Sequence, residues 1–515
     1  MTERQLHNRD QGHHEGQVAL EPETDLEKPP TQKQKQKQTE TQTQTPIATS
    51  TSPSPSPSPS TSSVSIQSRV LNEHQIALLV RKLELYLPHS IPLLRRIQFH
   101  LQEERASTTT TTAHIFVAAV RGNHSTITRT DPDTGPEPEP EPELEHDRPW
   151  DLDPWLLLET QSSNDTPWIA AHVDLVNAGQ TQVWVFGSWE EHDREAAELS
   201  RPPTEPHPMH NRCRHLLLRA LFTYISRDLI PLLPTTPPEE WLCLARTGKY
   251  LSRPYSRDKV LFGSVSDKLW HLFPESARTR TDAGYWKYLF CKQDLTSTSS
   301  QAPPLPPPGY CFGGMQDDDL QTVLDRTPIP RTLGTLRQLV SVGVFHDEGN
   351  TVSGAGADAG AGAGIGAVGW GFLGKDASLS SLHTEVEHRG RGLAVALGAE
   401  LLRRDHQRQE QERQHQQHQP PPRVVIHSQC GPGDNGSQGE RRDGDEDEDA
   451  REATTTSTST STSTSTSTSW WGHADVSQHN TASRRVMEKL GGRPAWMVMW
   501  TEVDMRVLLA LEGWS

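Results

Sequence analysis

Five tracts of nearly repetitive sequence cut this chain, and only what lies between them can fold. They are residues 1–68, with QKQKQKQTETQTQT and SPSPSPSPS; PDTGPEPEPEPELEHD (132–147); GAGADAGAGAGIG (354–366); RDHQRQEQERQHQQHQPPP (404–422); and GDEDEDAREATTTSTSTSTSTSTSTS (444–469). Such stretches have too few apolar groups to offset the entropy of ordering them, so they read as disordered. The fourth reads also as a charged helical extension that Pro420 to Pro422 would end. A length of 515 residues alone would suggest two to four domains, but a hydrophobic share of 32% argues for fewer.

Charge follows the same division. Residues 131–148 hold eight acids against one arginine, and 430–469 hold nine against three. Of the net charge of −17, only four negative charges then belong to the rest of the chain. A broad basic face for duplex nucleic acid is therefore not expected. The five cysteines are widely spaced, odd in number and lack a CxxC pair. That fits reduced intracellular thiols and argues against a disulfide framework or a zinc site, so no metal is expected. No apolar run reaches membrane-spanning length, and the N-terminal MTERQLHNRDQGHHEG lacks a signal-peptide core. The reading is an intracellular, cytoplasmic protein, with the nucleus as the other possibility.

Two blocks remain. The first, about Leu71 to Asp294, opens with a helix over LNEHQIALLVRKLELYL, in which Leu79, Val80, Leu83 and Leu87 share helical spacing. Strands follow at AHIFVAAV, DPWLLLET, PWIAAHVDL and TQVWVFGSW. A long helix, RCRHLLLRALFTYISRDL, carries the stripe Cys213, Leu216, Leu217, Ala220 and Leu221. The second block runs from the PPLPPPGY linker to about Met505. Its order reads as strand (GYCFGGM), helix (DDDLQTVLDR), helix (RTLGTLRQLV), strand (SVGVFH), strand (AVGWGFLG) and a less regular strand (SLSSLHTEV). A helix from Leu393, a strand (WWGHADV), a helix (NTASRRVMEKLGG) and a strand (AWMVMWTEV) complete it. RVVIHSQC (423–430) competes with WWGHADV for the sheet, and the helix that directly follows favours the latter. The order β-α-α-β-β-β-α-β-α-β describes an α/β domain with a mixed sheet and flanking helices.

The chemistry is carried by VEHRGRGLAVALGAELLRR (386–404). The first turn of a helix leaves backbone N–H groups unpaired and electropositive. Gly390 and Gly392 let the preceding loop curl so that these groups converge without a Cβ in the way. Arg389 and Arg391 add charge beside them, and the whole suits a pyrophosphate. The third glycine of a dinucleotide fingerprint and the GKS or GKT of a Walker loop are both missing.

Arg389-x-x-Gly392-x-Ala394 resembles the acyl-CoA pyrophosphate loop of the GNAT acyltransferase superfamily. Asn480-x-x-Ser483, followed by Met487-Glu488-Lys489-Leu490-Gly491, is similar to a second motif of that family in the right order. The resemblance covers about 309–505 and looks closest to the glycine N-acyltransferase type, whose N-terminal half is a degenerate copy of the same fold. It implies a mostly antiparallel, GNAT-like sheet in tandem. Residues 69–296 would be the degenerate half, with insert 131–148. Residues 309–505 would be the catalytic half, with inserts 349–364 and 405–469.

The resemblance also implies roles. Acetyl-CoA or another acyl-CoA would enter where the fourth and fifth strands splay. Its pantetheine would lie against the backbone of Leu382, His383 and Thr384. Its pyrophosphate would sit on N–H groups of Arg389, Gly390, Arg391, Gly392, Leu393 and Ala394, Asn480 would contact the pantetheine arm, and Ser483 would belong to the same cofactor-binding set. A small-molecule or peptide amine would attack the thioester. The usual Tyr acid falls on Met487, and the glycine-type Glu base on Ser378 with Asp376 nearby, so proton transfer is open. His473 and Asp475 share one face of their strand, and His383 lies on the other splayed strand; His473 is the expected base. In the loop LDRTPIPRT (324–332), Arg326 or Arg331 would pair with the carboxylate of an amino-acid acceptor such as glycine. Trp470, Trp471, Trp496 and Trp500 either line an acyl channel or pack the core, the second being the commoner use. The competing readings are a CoA-binding scaffold without turnover and an interaction hub worked by the low-complexity arms.

Overall fold

The computed structural model describes residues 64–106, 112–121, 167–191, 208–247, 249, 251–291, 305–346, 366–418, 470–511 and Trp514. From residue 64 onward these form one compact unit. The expected strands at 153–160 and 423–430, the acidic tract and most of the other low-complexity tracts lie outside the described residues.

In chain order the first block contains β1 (Ser65–Val70), α1 (Glu73–Leu85), α2 (Ile91–Ala106), β2 (His114–Arg121), β3 (Trp168–Val173), β4 (Val183–Gly187), α3 (Pro208–Tyr224), α4 (Glu239–Arg246), β5 (Lys259–Ser266), α5 (Asp267–Trp270) and β6 (Arg278–Cys291). The second contains β7 (Tyr310–Gly313), α6 (Asp317–Arg326), α7 (Leu333–Gln338), β8 (Ser341–His346), β9 (Gly369–Leu373), β10 (Leu379–Thr384), α8 (Leu393–His418), β11 (Trp471–Ser477), α9 (Thr481–Lys489) and β12 (Arg493–Asp504); α10 (Met505–Ala510) closes the chain. The second block reproduces the β-α-α-β-β-β-α-β-α-β order read from sequence.

Local chemistry sets these limits. Asn72 caps α1 by accepting the Gln75 amide at 3.0 Å, and Gln75 returns a bond to the Asn72 amide at 2.9 Å. α6 starts on three aspartates, and the third, Asp319, accepts the Gln316 amide at 2.9 Å. Along β4 the alternation sorts side chains between two cores. Val183 and Val185 pack toward α3, Trp184 and Phe186 toward α1 and α2.

Two sheets result, ordered β1-β2-β3-β4-β5-β12-β6-β11 and β10-β9-β8-β7. Neighbours are antiparallel except at two seams. β4 meets β5 in parallel through Val183 and Phe262. A single parallel bridge, Ser378 to His473, joins the start of β10 to β11. The two blocks are interleaved: β12, last strand of the second, lies between β5 and β6 of the first, and β6 pairs with β11. Each block completes the other's sheet.

Three expectations change. Ser65 to Ser68 belong to β1, which pairs with β2, not to the disordered N-terminal tract. The stripe of α3 is rotated by one residue: its core side chains are Cys213, Leu217, Leu218, Leu221 and Phe222, and Leu216 is only partly covered. Lastly, the start of the 405–469 insert is structural. α8 runs on to His418, and Asp405 and Gln409 are buried. Asp405 accepts the Trp470 indole N–H at 3.3 Å, and Gln409 accepts from Arg95 of α2. The helix is the charged extension read before Pro420 to Pro422; the packing that buries two of its polar side chains against another element is what a composition reading cannot detect. Among the described residues no helix is long and apolar enough to cross a membrane.

Candidate acyl-CoA cleft

The cleft begins with a bulge. β10 pairs with β9 as Ser380 with Phe372, but then as His383 with Trp370, so one extra residue is inserted. Ser381, inside the shift, has φ of 50°, a left-handed conformation that side chains rarely adopt. A bulge bends its strand and sharpens its twist. Beyond the Ser378–His473 bridge, no described strand pairs with the outer edge of β10. The main chain of Leu382, His383 and Thr384 therefore borders a gap between two parallel strands. Ser381 Oγ and Thr384 Oγ1 on β10 are buried with no hydrogen-bond partner among the described residues.

At the open end each strand runs into a helix. β10 leads through His388 and Arg389 into α8, and β11 leads through Asn480 into α9. Ligands of α/β sheets bind at such carboxyl ends of parallel strands. Gly390 and Gly392 have φ of 77° and 84°, and no atom lies within 4 Å of a Cβ added to either. Among the described residues, the amides of Gly390, Arg391, Gly392, Leu393 and Ala394 donate to no acceptor. Arg389 braces the loop, its Nε donating to Thr384 O at 2.9 Å, and the Arg391 guanidinium lies 6.0 Å from the Tyr310 ring centroid. Asn480 is exposed and caps α9 by accepting the Ser483 amide at 3.0 Å.

At the closed end sits a buried polar group of side chains. Lys287, opposite Asp475 in the β6–β11 ladder, is wholly buried and lies 2.6 Å from Asp475 Oδ1. Its ammonium also donates to Ser264 Oγ at 2.8 Å and reaches His473 Nδ1 at 3.2 Å. His473 Nε2 lies 2.8 Å from the carbonyl of Asp376, which can only accept, so the proton is on Nε2 and Nδ1 accepts from Lys287. Burial, with Lys287 adding to it, holds the His473 pKa down to about 3. Burial pushes the Asp475 carboxyl up, with Lys287 opposing. Burial also pushes the Asp376 carboxyl up, but His473, Lys287 and the Ser378 hydrogen bonds outweigh it and leave the group below its usual range. Asp376, His473 and Asp475 each bring a donor atom within 4.8 Å of the others, a spacing that metal sites also use. The cation among them is the protein's own, Lys287.

The predicted site residues thus divide. Asp376, His473 and Asp475 do come together, but both nitrogens of His473 are engaged within the protein. His383 stands apart from this group: its ring stacks on Trp370 at 4.5 Å, and Nε2 lies 3.7 Å from Glu385 Oε2. Burial, opposed by Glu385, lowers its pKa. Arg326 pairs with Glu385 at 3.0 Å. Arg331 differs, since its Nε is buried with no hydrogen-bond partner and burial, opposed by Asp376, lowers its pKa. The tryptophans pack. Trp470 bonds Asp405, Trp496 stacks on His89 at 4.5 Å, and Trp500 donates to Thr181 at 3.2 Å. Sequence reasoning missed Lys287 and Ser264, because their strands lie in the first block and only the interleaved topology brings them here.

The equivalent seam in the first block is filled. The Trp189 ring would lie 2.6 Å from a Cβ on Gly187, and Glu190 Oε1 accepts the Gly187 amide at 2.7 Å. An internal carboxylate thus sits just past the end of β4. Burial, first among the causes, pushes its pKa up to about 7. A carboxyl raised from its ordinary 4.5 stabilises the fold fully below 4.5, and that contribution is lost as pH rises through 7. Glu190→Gln keeps an acceptor for the amide and removes the titration. Relative to it, the wild type should lose about 3 kcal/mol between pH 4.5 and 8 in urea unfolding; parallel curves would disprove this.

Strand order, bulge, splay and open amide loop together form the mostly antiparallel α/β arrangement with flanking helices that the resemblance to GNAT acyltransferases implied. Residues 63–288 match the family model described as the acyl-CoA N-acyltransferase verG N-terminal domain. That match lies in the first block and does not name the glycine N-acyltransferase type. Comparison with curated proteins finds no match. Among solved structures, a Drosophila protein is similar at 11% identity, over 85% of this chain and 98% of that one, with a TM-score of 0.40. A tandem GNAT protein from the clavulanic acid biosynthesis pathway is 10% identical over 86% and 99% of the two chains, TM-score 0.30. A GCN5-related N-acetyltransferase from Sphaerobacter thermophilus is 12% identical over 66% and 80%, TM-score 0.30.

Proposed function

We propose that this protein transfers an acetyl or acyl group from an acyl-CoA to a primary amine in the β10–β11 cleft. The observation that carries this reading is the run of five unpaired amides from Gly390 to Ala394 at the open end of the splay. They supply convergent donors and positive helix-end charge for a diphosphate. The free edge of β10 offers main-chain partners to the pantetheine amides, and Asn480 flanks the same opening. The amine attacks the thioester carbonyl, the C–S bond breaks, and CoA leaves as its thiol. Amides on the β10 edge polarise the carbonyl oxygen.

Proton removal passes to His383. It lies on β10, the strand that borders the gap, and burial lowers its pKa, whereas both ring nitrogens of His473 are engaged within the protein. His383→Gln should lower kcat about a hundredfold and leave acetyl-CoA affinity unchanged. The wild-type rate should rise with pH through a pKa below the ordinary histidine value and then level off. A flat profile with unchanged kcat in the variant would exclude His383.

For the acceptor, Arg331 supports a carboxylate-bearing amine such as an amino acid, since Arg326 is already paired. Arg331→Ala should raise KM for such an amine about tenfold and leave KM for an amine without a carboxylate unchanged. Equal effects on both classes would remove the carboxylate reading. A second reading, a CoA-binding scaffold without turnover, draws on Met487 and Ser378 at the family's acid and base positions. Thiol release over a panel of amines separates the two: acetyl-CoA binding without release from any amine is the scaffold result.

A further inference from the structure

We infer that Lys287, delivered by the last strand of the first block, is a positioning residue for the acyl-CoA cleft of the second. This rests on the reading of that cleft as an acyl-CoA site. The cleft opens from one point, the Ser378–His473 bridge. His473 holds that point by donating from Nε2 to the Asp376 carbonyl, in the turn that launches β10. Its ring can do so only as the Nε2–H tautomer, and Lys287 enforces that form by donating to Nδ1. Asp475 Oδ1 lies 2.6 Å from the Lys287 ammonium, and Ser264 on β5 bonds both, accepting from Lys287 and donating to Asp475 at 3.1 Å. Three strands and one turn therefore share one buried network, and two of those strands, β5 and β6, belong to the first block. The first block is a working part of the site, because it fixes the angle from which β10 and β11 diverge and so the spacing of the two helix mouths.

The charged groups acting on His473 are Lys287 from β6, Asp475 from its own strand, Asp376 from the β9–β10 turn and Arg95 from α2. With Lys287→Met the nearest cation goes and Asp475 is left uncompensated, so His473 should take up a proton at markedly higher pH than in the wild type. The experiment follows the His473 imidazole resonances across pH 4 to 9 in the full chain, identified by their loss in His473→Gln, and measures acetyl-CoA affinity by calorimetry. The double variant Lys287→Met/Asp475→Leu removes both charges and guards against a variant that fails to fold. Expected are a wild-type ring that stays neutral throughout, a ring that titrates in Lys287→Met, and acetyl-CoA bound about tenfold more weakly by both variants. A folded double variant with wild-type affinity, or a His473 ring unmoved in Lys287→Met, overturns the positioning role. Failure of the wild type to bind acetyl-CoA would instead count against the cofactor reading itself, and the imidazole titration would still decide whether Lys287 locks the ring.

Discussion

Gly392→Asp should weaken acetyl-CoA binding by about a hundredfold or more while barely moving the melting temperature. Gly392 precedes the first residue of α8 and has φ of 84°, with open space around a would-be Cβ. An aspartate there meets no steric clash and costs only the left-handed backbone, about 1–2 kcal/mol. Much of that is offset, since an N-terminal carboxylate interacts well with the helix dipole and caps free amides. Those are the amides the diphosphate needs, so the variant would carry its own competing anion, much as Glu190 does past the end of β4. A hundredfold loss corresponds to about 2.7 kcal/mol. Gly392→Ala separates the causes, because it brings the strain without the charge and should lose only about a tenth of that factor. Calorimetry on the three proteins decides it. Wild-type affinity in Gly392→Asp would leave the amide loop without a role.

What the sequence revealed and what it hid follow from the range of the interactions involved. The second block was legible because its elements are set locally: Asp317 to Asp319 open a helix, alternation marks the strands, and Gly390 and Gly392 mark the loop. Five unpaired amides follow from glycine spacing before an apolar helix. The state of His473 was not legible. Its strand position was read correctly, but its ring is engaged by Lys287, 186 residues away in sequence, and by Asp376, 97 residues away. No local pattern records such partners. The same holds for Asp405 and Gln409, buried within a tract that composition marks as solvent-exposed. The plug at the β4 seam was equally silent, since Trp189 and Glu190 acquire meaning only once β4 is known to meet β5 in parallel.

The largest expected effect on stability comes from the interleaving. Lys287→Met should cost about 3–5 kcal/mol in urea unfolding at neutral pH, because it leaves Asp475 as a buried charge with no counterion. Against a total stability of about 5–15 kcal/mol, that is enough to populate unfolded chains. Adding Asp475→Leu should return most of it, since apolar groups of similar volume replace a buried ion pair at little or no net cost. Acid provides an independent check. Burial already raises the Asp475 carboxyl, and removing Lys287 raises it further. A carboxyl with a raised folded pKa stabilises at low pH and loses that contribution as pH rises, so the deficit of Lys287→Met should shrink on acidification and grow toward neutrality. If the network were an exposed or dispensable pair, the loss would stay below about 1 kcal/mol at every pH, as surface ion pairs do. A deficit that is large, relieved by acid and repaired by Asp475→Leu requires that β6 of the first block and β11 of the second share one dry interior.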